Sequence, residues 1–150
     1  WSTVLEEYGY EPLPKYTEPS EGPLANPQSA TEYPLVFNSG ARPQTYFRSQ
    51  HHGIKGLNRD HPEPTVELNT EDARARGIDD GDRASVFNHR GRIEITVRLD
   101  HSLRPGCIVI HNGWWLSEGG GINLLSSARE TDMGHGAAFH DNAVEAERAE

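Results

Sequence analysis

The chain has 150 residues, 34% of them hydrophobic and 25% charged, with a formal net charge of −9. That length supports one core of ordinary size and argues against two domains. The acidic balance counts against nonspecific binding to nucleic acid or to an anionic membrane, and no apolar run approaches the roughly 20 residues of a membrane-spanning helix.

Five of the ten prolines (Pro12, Pro14, Pro19, Pro23, Pro27) fall before residue 34. This predicts a Pro-rich extended connector over residues 1–32 and a folded domain over 33–150. No initiator Met precedes Trp1 and the start has no signal-like core, so the chain is expected to be part of something longer. A first strand is predicted from Tyr33 to Asn38, ending at Ser39-Gly40, and a long loop follows from Ala41 to Gly56. Thr65–Leu68 alternates as a half-buried strand. Asn69 or Thr70 can cap a short helix over Thr70–Arg76, with Glu71 and Asp72 in its positive first turn and Gly77 just past its end.

Asp79-Asp80-Gly81-Asp82 then turns the chain into a hairpin, Arg83–Asn88 paired with Arg92–Leu99. On the return strand Ile93, Ile95, Val97 and Leu99 face one way without interruption. Pro105-Gly106 makes the next turn and Cys107–Ile110 the next strand. A Gly-rich loop follows Trp114. The closing Ala143–Glu147 segment reads as a last strand or a helical tail. Five or six short strands, long loops and frequent Gly and Pro fit a small closed barrel.

The loop Gly40–Gly53 gathers guanidinium, hydroxyl, amide and imidazole groups, including Arg42, Arg48, Ser49 and His51. These are the donors that hold phosphate and heterocycle atoms, and a few arginines with backbone N–H groups can bind a pyrophosphate even on an acidic protein. Two adjacent tryptophans cannot both enter one core from a strand, so one of Trp114 and Trp115 is expected either to face a ligand or another domain or to sit at the rim of the core. The eight histidines show no metal-ligand spacing, and no catalytic set is visible. Asp79–Asp82 lacks the spaced oxygen ligands of a calcium loop. Cys107, the single cysteine, cannot form an internal disulfide and reads as a small buried hydrophobe.

In order and content, P-T-V-E-L-N-T-E-D-A (Pro64–Ala73), R-G-I-D-D-G-D (Arg76–Asp82), H-N-G-W-W (His111–Trp115) and I-N-L-L-S (Ile122–Ser126) resemble the C-terminal dinucleotide-binding domain of molybdopterin oxidoreductases, the dimethyl sulfoxide reductase family. The resemblance covers Tyr33 to about Glu147. It implies a mainly β fold, a six-stranded double-psi β-barrel with one or a few short helices and long loops. It further implies that Gly40, Arg42, Arg48, Ser49 and His51 run along a pterin dinucleotide, with Trp114 nearby. Asn123, in an N-x-L motif, would read a pterin or guanine edge, and Phe139 and His140 would approach the cofactor from G-A-A-F-H-D.

The implied cofactor is molybdopterin guanine dinucleotide, one half of a bis(molybdopterin guanine dinucleotide) site with molybdenum or tungsten in a longer parent. None is expected to stay bound to this chain alone, which would be catalytically silent. Implied partners are upstream domains of the same parent and an iron–sulfur electron-transfer subunit. The implied setting is the cytoplasm or periplasm of a prokaryote. Two other readings use the same barrel. One is a free-standing protein- or ligand-binding module. The other is an autoprocessing decarboxylase, which would need a Gly-Ser bond that the sequence lacks.

Overall fold

A computed structural model of the chain describes residues 2–13, 15–40, 48–131, 134–138, 140 and 142–150. Six strands form a closed barrel in the order β1-β5-β2-β4-β3-β6, where β1 is Leu35–Asn38, β2 Thr65–Leu68, β3 Arg83–Phe87, β4 Arg92–Leu99, β5 Cys107–Ile110 and β6 Ala143–Arg148. The pairs β1·β5 and β2·β4 are parallel and the others antiparallel. The mainly β, six-stranded closed barrel expected from the sequence is therefore the fold. Among the described residues, closure leaves each of the six strands paired on both sides, which removes the open edges of a flat sheet.

Alternation decides which residues fill the interior. In β4, Ile93, Ile95 and Val97 are buried while Arg92, Glu94 and Arg98 are exposed. Leu35 and Phe37, Val66 and Leu68, Ala84 and Val86, and Ile108 and Ile110 supply the inward faces of their strands. Each fully buried Val, Ile or Leu contributes about 1.5–3 kcal/mol relative to exposure. The last segment is a strand rather than a helical tail, because Ala143, Val144 and Ala146 are needed to seal the barrel between β1 and β3. Cys107 departs from expectation: its alternating position in β5 leaves it half-buried rather than inside the core.

The strand directions give the barrel two distinct ends. At one lies α3 (Thr70–Ala75), capped by Asn69, whose Oδ1 accepts from Glu71 N at 2.7 Å while its Nδ2 donates to Leu103 O at 2.6 Å. Gly77 takes a left-handed φ of 64° just past the helix. The acidic turn is tied down by its own carboxylates. Asp80 Oδ1 accepts from Leu99 N at 2.7 Å and Asp82 Oδ2 from Asp79 N at 2.9 Å. Asp72 Oδ2 accepts from Gly106 N at 2.7 Å, joining the helix to the turn before β5.

The leading segment is not uniformly extended. Ser2 caps α1 (Thr3–Glu7), and Asn26 with Pro27 at the first position starts α2 (Pro27–Glu32). Such a cap followed by Pro is a helix-start signal that proline content obscures. Between these helices Glu21 reaches the barrel, accepting from Ala143 N at 3.0 Å and pairing with Arg90 through both oxygens. Among the described residues, no helix is long and apolar enough to cross a membrane.

Candidate functional site

The parallel pairing of β1 with β5 sends the loops after both strands out at the same end of the barrel. Antiparallel pairing brings the β3–β4 turn and the start of β6 to that end as well. Those loops enclose a cleft of about 680 Å³. Its floor takes in Phe37 and Ser39 at the end of β1, and its walls are Arg48-Ser49, Asn112–Leu116 and Gly121–Leu124, with Ser126 and Ala137.

Two glycines with left-handed backbone shape the walls. At Gly113 (φ 108°) a Cβ would stand 2.2 Å from the Arg48 carbonyl, so only glycine lets the two loops cross there. Arg48 itself has φ 55°, a conformation uncommon for a residue with a Cβ. Gly121, φ 119°, starts the 3-10 turn Ile122–Leu124 that carries Asn123. Where the chain bends before that turn, Gly120 admits the Trp114 carbonyl, which a Cβ would meet at 2.6 Å.

The indoles separate as the steric argument requires. Trp114 is half-buried and stacks on His52, ring centroids 4.2 Å apart and 25° between planes. Trp115 is 61% exposed, and Leu116 beside it is 68% exposed. His52 is buried, and its Nδ1 lies 3.5 Å from Glu118 Oε2, the same oxygen that accepts from Trp115 N at 2.9 Å. Beneath the loop, His111 Nε2 lies 3.2 Å from Glu67 Oε1 and its ring meets His61 edge-on.

Of the residues singled out in the sequence, Arg48, Ser49, Trp114 and Asn123 meet on this one cleft although they are far apart along the chain. Gly40, His51 and His140 are not on its walls. Gly40 (φ 70°) instead packs its backbone against His111 and Val109, and its N donates to Asn38 Oδ1 at 2.9 Å. His51 and His140 are exposed. Arg42 and Phe139 lie outside the described residues. Ser39, Asn112, Leu116 and Ser126 also line the cleft without having been singled out individually, although all but Leu116 fall inside quoted segments. Asn112 stood inside H-N-G-W-W, and its amide beside a glycine was an available signal.

The donor set suits a phosphorylated heterocycle. One guanidinium, hydroxyls and two carboxamides lie among aromatic and aliphatic surfaces, in a volume within the roughly 300–1,000 Å³ of small-molecule sites. Among the described residues, no group of three or more His, Cys, Asp or Glu could hold a metal ion.

A family model described as the molydopterin dinucleotide binding domain matches residues 35–143. The chain is 33% identical over 144 residues to acetylene hydratase of Syntrophotalea acetylenica, an alignment that takes in 96% of this chain and 19% of that protein. It is 34% identical over 157 residues to the probable dimethyl sulfoxide reductase chain YnfF of Escherichia coli, covering 99% of this chain and 19% of that one. The solved structure of acetylene hydratase from Pelobacter acetylenicus superimposes with a TM-score of 0.87 at 26% identity, over 99% of this chain and 23% of that chain. The chain thus spans about a fifth of the length of these relatives.

Proposed function

This chain belongs to the molydopterin dinucleotide binding domain family, and on that premise we propose that its cleft caps one molybdopterin guanine dinucleotide of a bis(molybdopterin guanine dinucleotide) cofactor in a longer oxidoreductase. The observation that carries the reading is the convergence of Arg48, Ser49, Trp114 and Asn123 on a single cleft. The Arg48 guanidinium and Ser49 hydroxyl would bind phosphate oxygens, the former by a charge-assisted hydrogen bond. Asn123, with one donor and one acceptor side by side, would pair with a pterin or guanine edge. Trp114 would offer its face to the ring and keep water away from it. Arg42 and Phe139 belong to the same proposal through their loops. Redox chemistry in such a site comes from the metal and its dithiolenes, while the protein orients and shields them.

Upstream domains of a longer chain would cover the cleft from the other side, and the apolar rim of Trp115 and Leu116 is suited to that contact. An iron–sulfur partner and the choice of molybdenum or tungsten are parts of the parent's chemistry that this reading leaves to those domains. The rival use, a free-standing binding module, draws on the same exposed rim. A titration of the chain with guanosine diphosphate, followed by tryptophan fluorescence, separates the two. Saturable quenching that weakens in both Arg48→Ala and Asn123→Ala supports the dinucleotide reading. Quenching indifferent to both variants refutes it.

A further inference from the structure

Three contacts from the turn between β3 and β4 converge on Leu124 and Leu125. Asn88 Nδ2 donates to the Leu125 carbonyl at 2.9 Å, and Arg90 Nε donates to the same oxygen at 3.0 Å. At Gly91 a Cβ would stand 2.8 Å from the Leu124 carbonyl, so glycine lets that peptide lie against the turn. The Arg90 fork extends further: Nη2 donates at 3.2 Å to Asn142 Oδ1, which also accepts from Ser127 N at 3.0 Å. The wall carrying Asn123 is therefore held from behind by one turn of the barrel.

The guanidinium that does this is largely removed from water, with its side chain 19% exposed. Its counter-charge comes from the leading segment. Glu21, 14% exposed, takes Nη1 and Nη2 on its two oxygens, the second at 3.0 Å. His89 Nε2 lies 3.2 Å from Nη1. A lysine could pair with Glu21 but could not reach Leu125 O, Asn142 Oδ1 and Glu21 together, since it lacks the planar fork.

We propose that Arg90 is a positioning residue for the cleft: with Asn88 and Gly91 it fixes the Ile122–Ser126 wall, and Glu21 holds Arg90 in place. The inference rests on the dinucleotide reading, because it gives the placement of that wall a role in binding. It predicts that the leading segment and the cleft are energetically linked through one side chain.

Amide hydrogen exchange and guanosine diphosphate titration of the 150-residue chain test this together. Arg90→Lys should speed exchange at Leu124, Leu125, Ser126 and Ser127 by about tenfold or more, the scale of one lost charge-assisted hydrogen bond. Exchange in β2 should stay as in the wild type. The nucleotide affinity should fall by about three- to tenfold. Combined with Asn123→Ala, the loss should be smaller than the product of the two single losses, since both act through the same wall. Gly91→Ala, which keeps every charge, should also speed exchange at Leu124–Ser127, and it carries the test if Arg90→Lys does not fold. Unchanged exchange at these amides in the folded variants, or losses that multiply independently, overturns the proposal. Nucleotide binding indifferent to Asn123→Ala would instead fail the cleft reading, and the exchange comparison would still decide whether Arg90 holds the wall.

Discussion

Removing residues 1–24 should destabilise the barrel, whereas removing residues 1–17 should not. The difference is Glu21, which makes two hydrogen bonds to Arg90 and accepts a third from Ala143 N. The N-terminal helix α1 buries no residue, so its loss costs the core little. Taking away one partner of a fully buried ion pair costs about 3–5 kcal/mol. Here water reaches 19% of the Arg90 side chain and 14% of Glu21, which screens part of that penalty. A cost of about 2–3 kcal/mol follows, or a fall in Tm of roughly 4–12 °C for a domain of this length. Glu21→Ala in the full chain should reproduce it. Thermal unfolding followed by circular dichroism reads all three variants. A 1–24 deletion that melts with the intact chain would refute the reasoning, as would a 1–17 deletion that costs as much as the longer one.

Other consequences can be checked one residue at a time. Ile95→Asp places a carboxylate at a fully buried position of β4 and should unfold the barrel or cost several kcal/mol, while Thr96→Asp, half-exposed on the opposite face, should be mild. Equal melting temperatures for the two would disprove the strand register. The Ser102 hydroxyl and then its backbone amide hold the exposed Asp100 carboxyl below its ordinary value of 3.8. A depressed folded value adds stability above the unfolded value and loses it as pH falls through the folded one. Ser102→Ala should raise the Asp100 value toward the ordinary one in an NMR titration, and an unchanged titration would contradict the assignment.

The sequence exposed the scaffold more readily than the site. V-E-L-N-T-E-D-A and G-I-D-D-G-D were its clearest blocks, and they build the end of the barrel away from the cleft. Two of their side chains close turns within a few residues, Asp82 for Asp79 and Asn69 for Glu71, although Asp72 and Asp80 bond to distant backbone. Such local bonding leaves a short-range pattern; β2 and β4 begin and end where alternation places them, and β5 is the apolar run that follows the Pro105-Gly106 turn. The order of strands around the barrel is a long-range property, and only the family resemblance supplied it.

The cleft is long-range too. Arg48 crosses Gly113, and Arg90 reaches Leu125, Asn142 and Glu21, separations that no periodicity encodes. Asn112 and Arg90 therefore carry no short-range signal of their roles, while Gly40 and His51, named through the family resemblance, lie off the cleft walls. His89, in the same turn, likewise lies with its Nε2 3.2 Å from Arg90 Nη1.

If the cleft holds a dinucleotide as proposed, the cofactor content of a purified longer oxidoreductase carrying this domain depends on the cleft's side chains. On the proposed roles of these residues, guanosine monophosphate and metal released per mole of folded protein should both fall in Arg48→Ala, which would remove about 1.5–3 kcal/mol of charge-assisted contact, and in Asn123→Ala, which would remove a paired amide contact. Arg98→Ala, exposed on the outer face of β4, should keep the full content. Wild-type nucleotide and metal in both cleft variants would contradict the account.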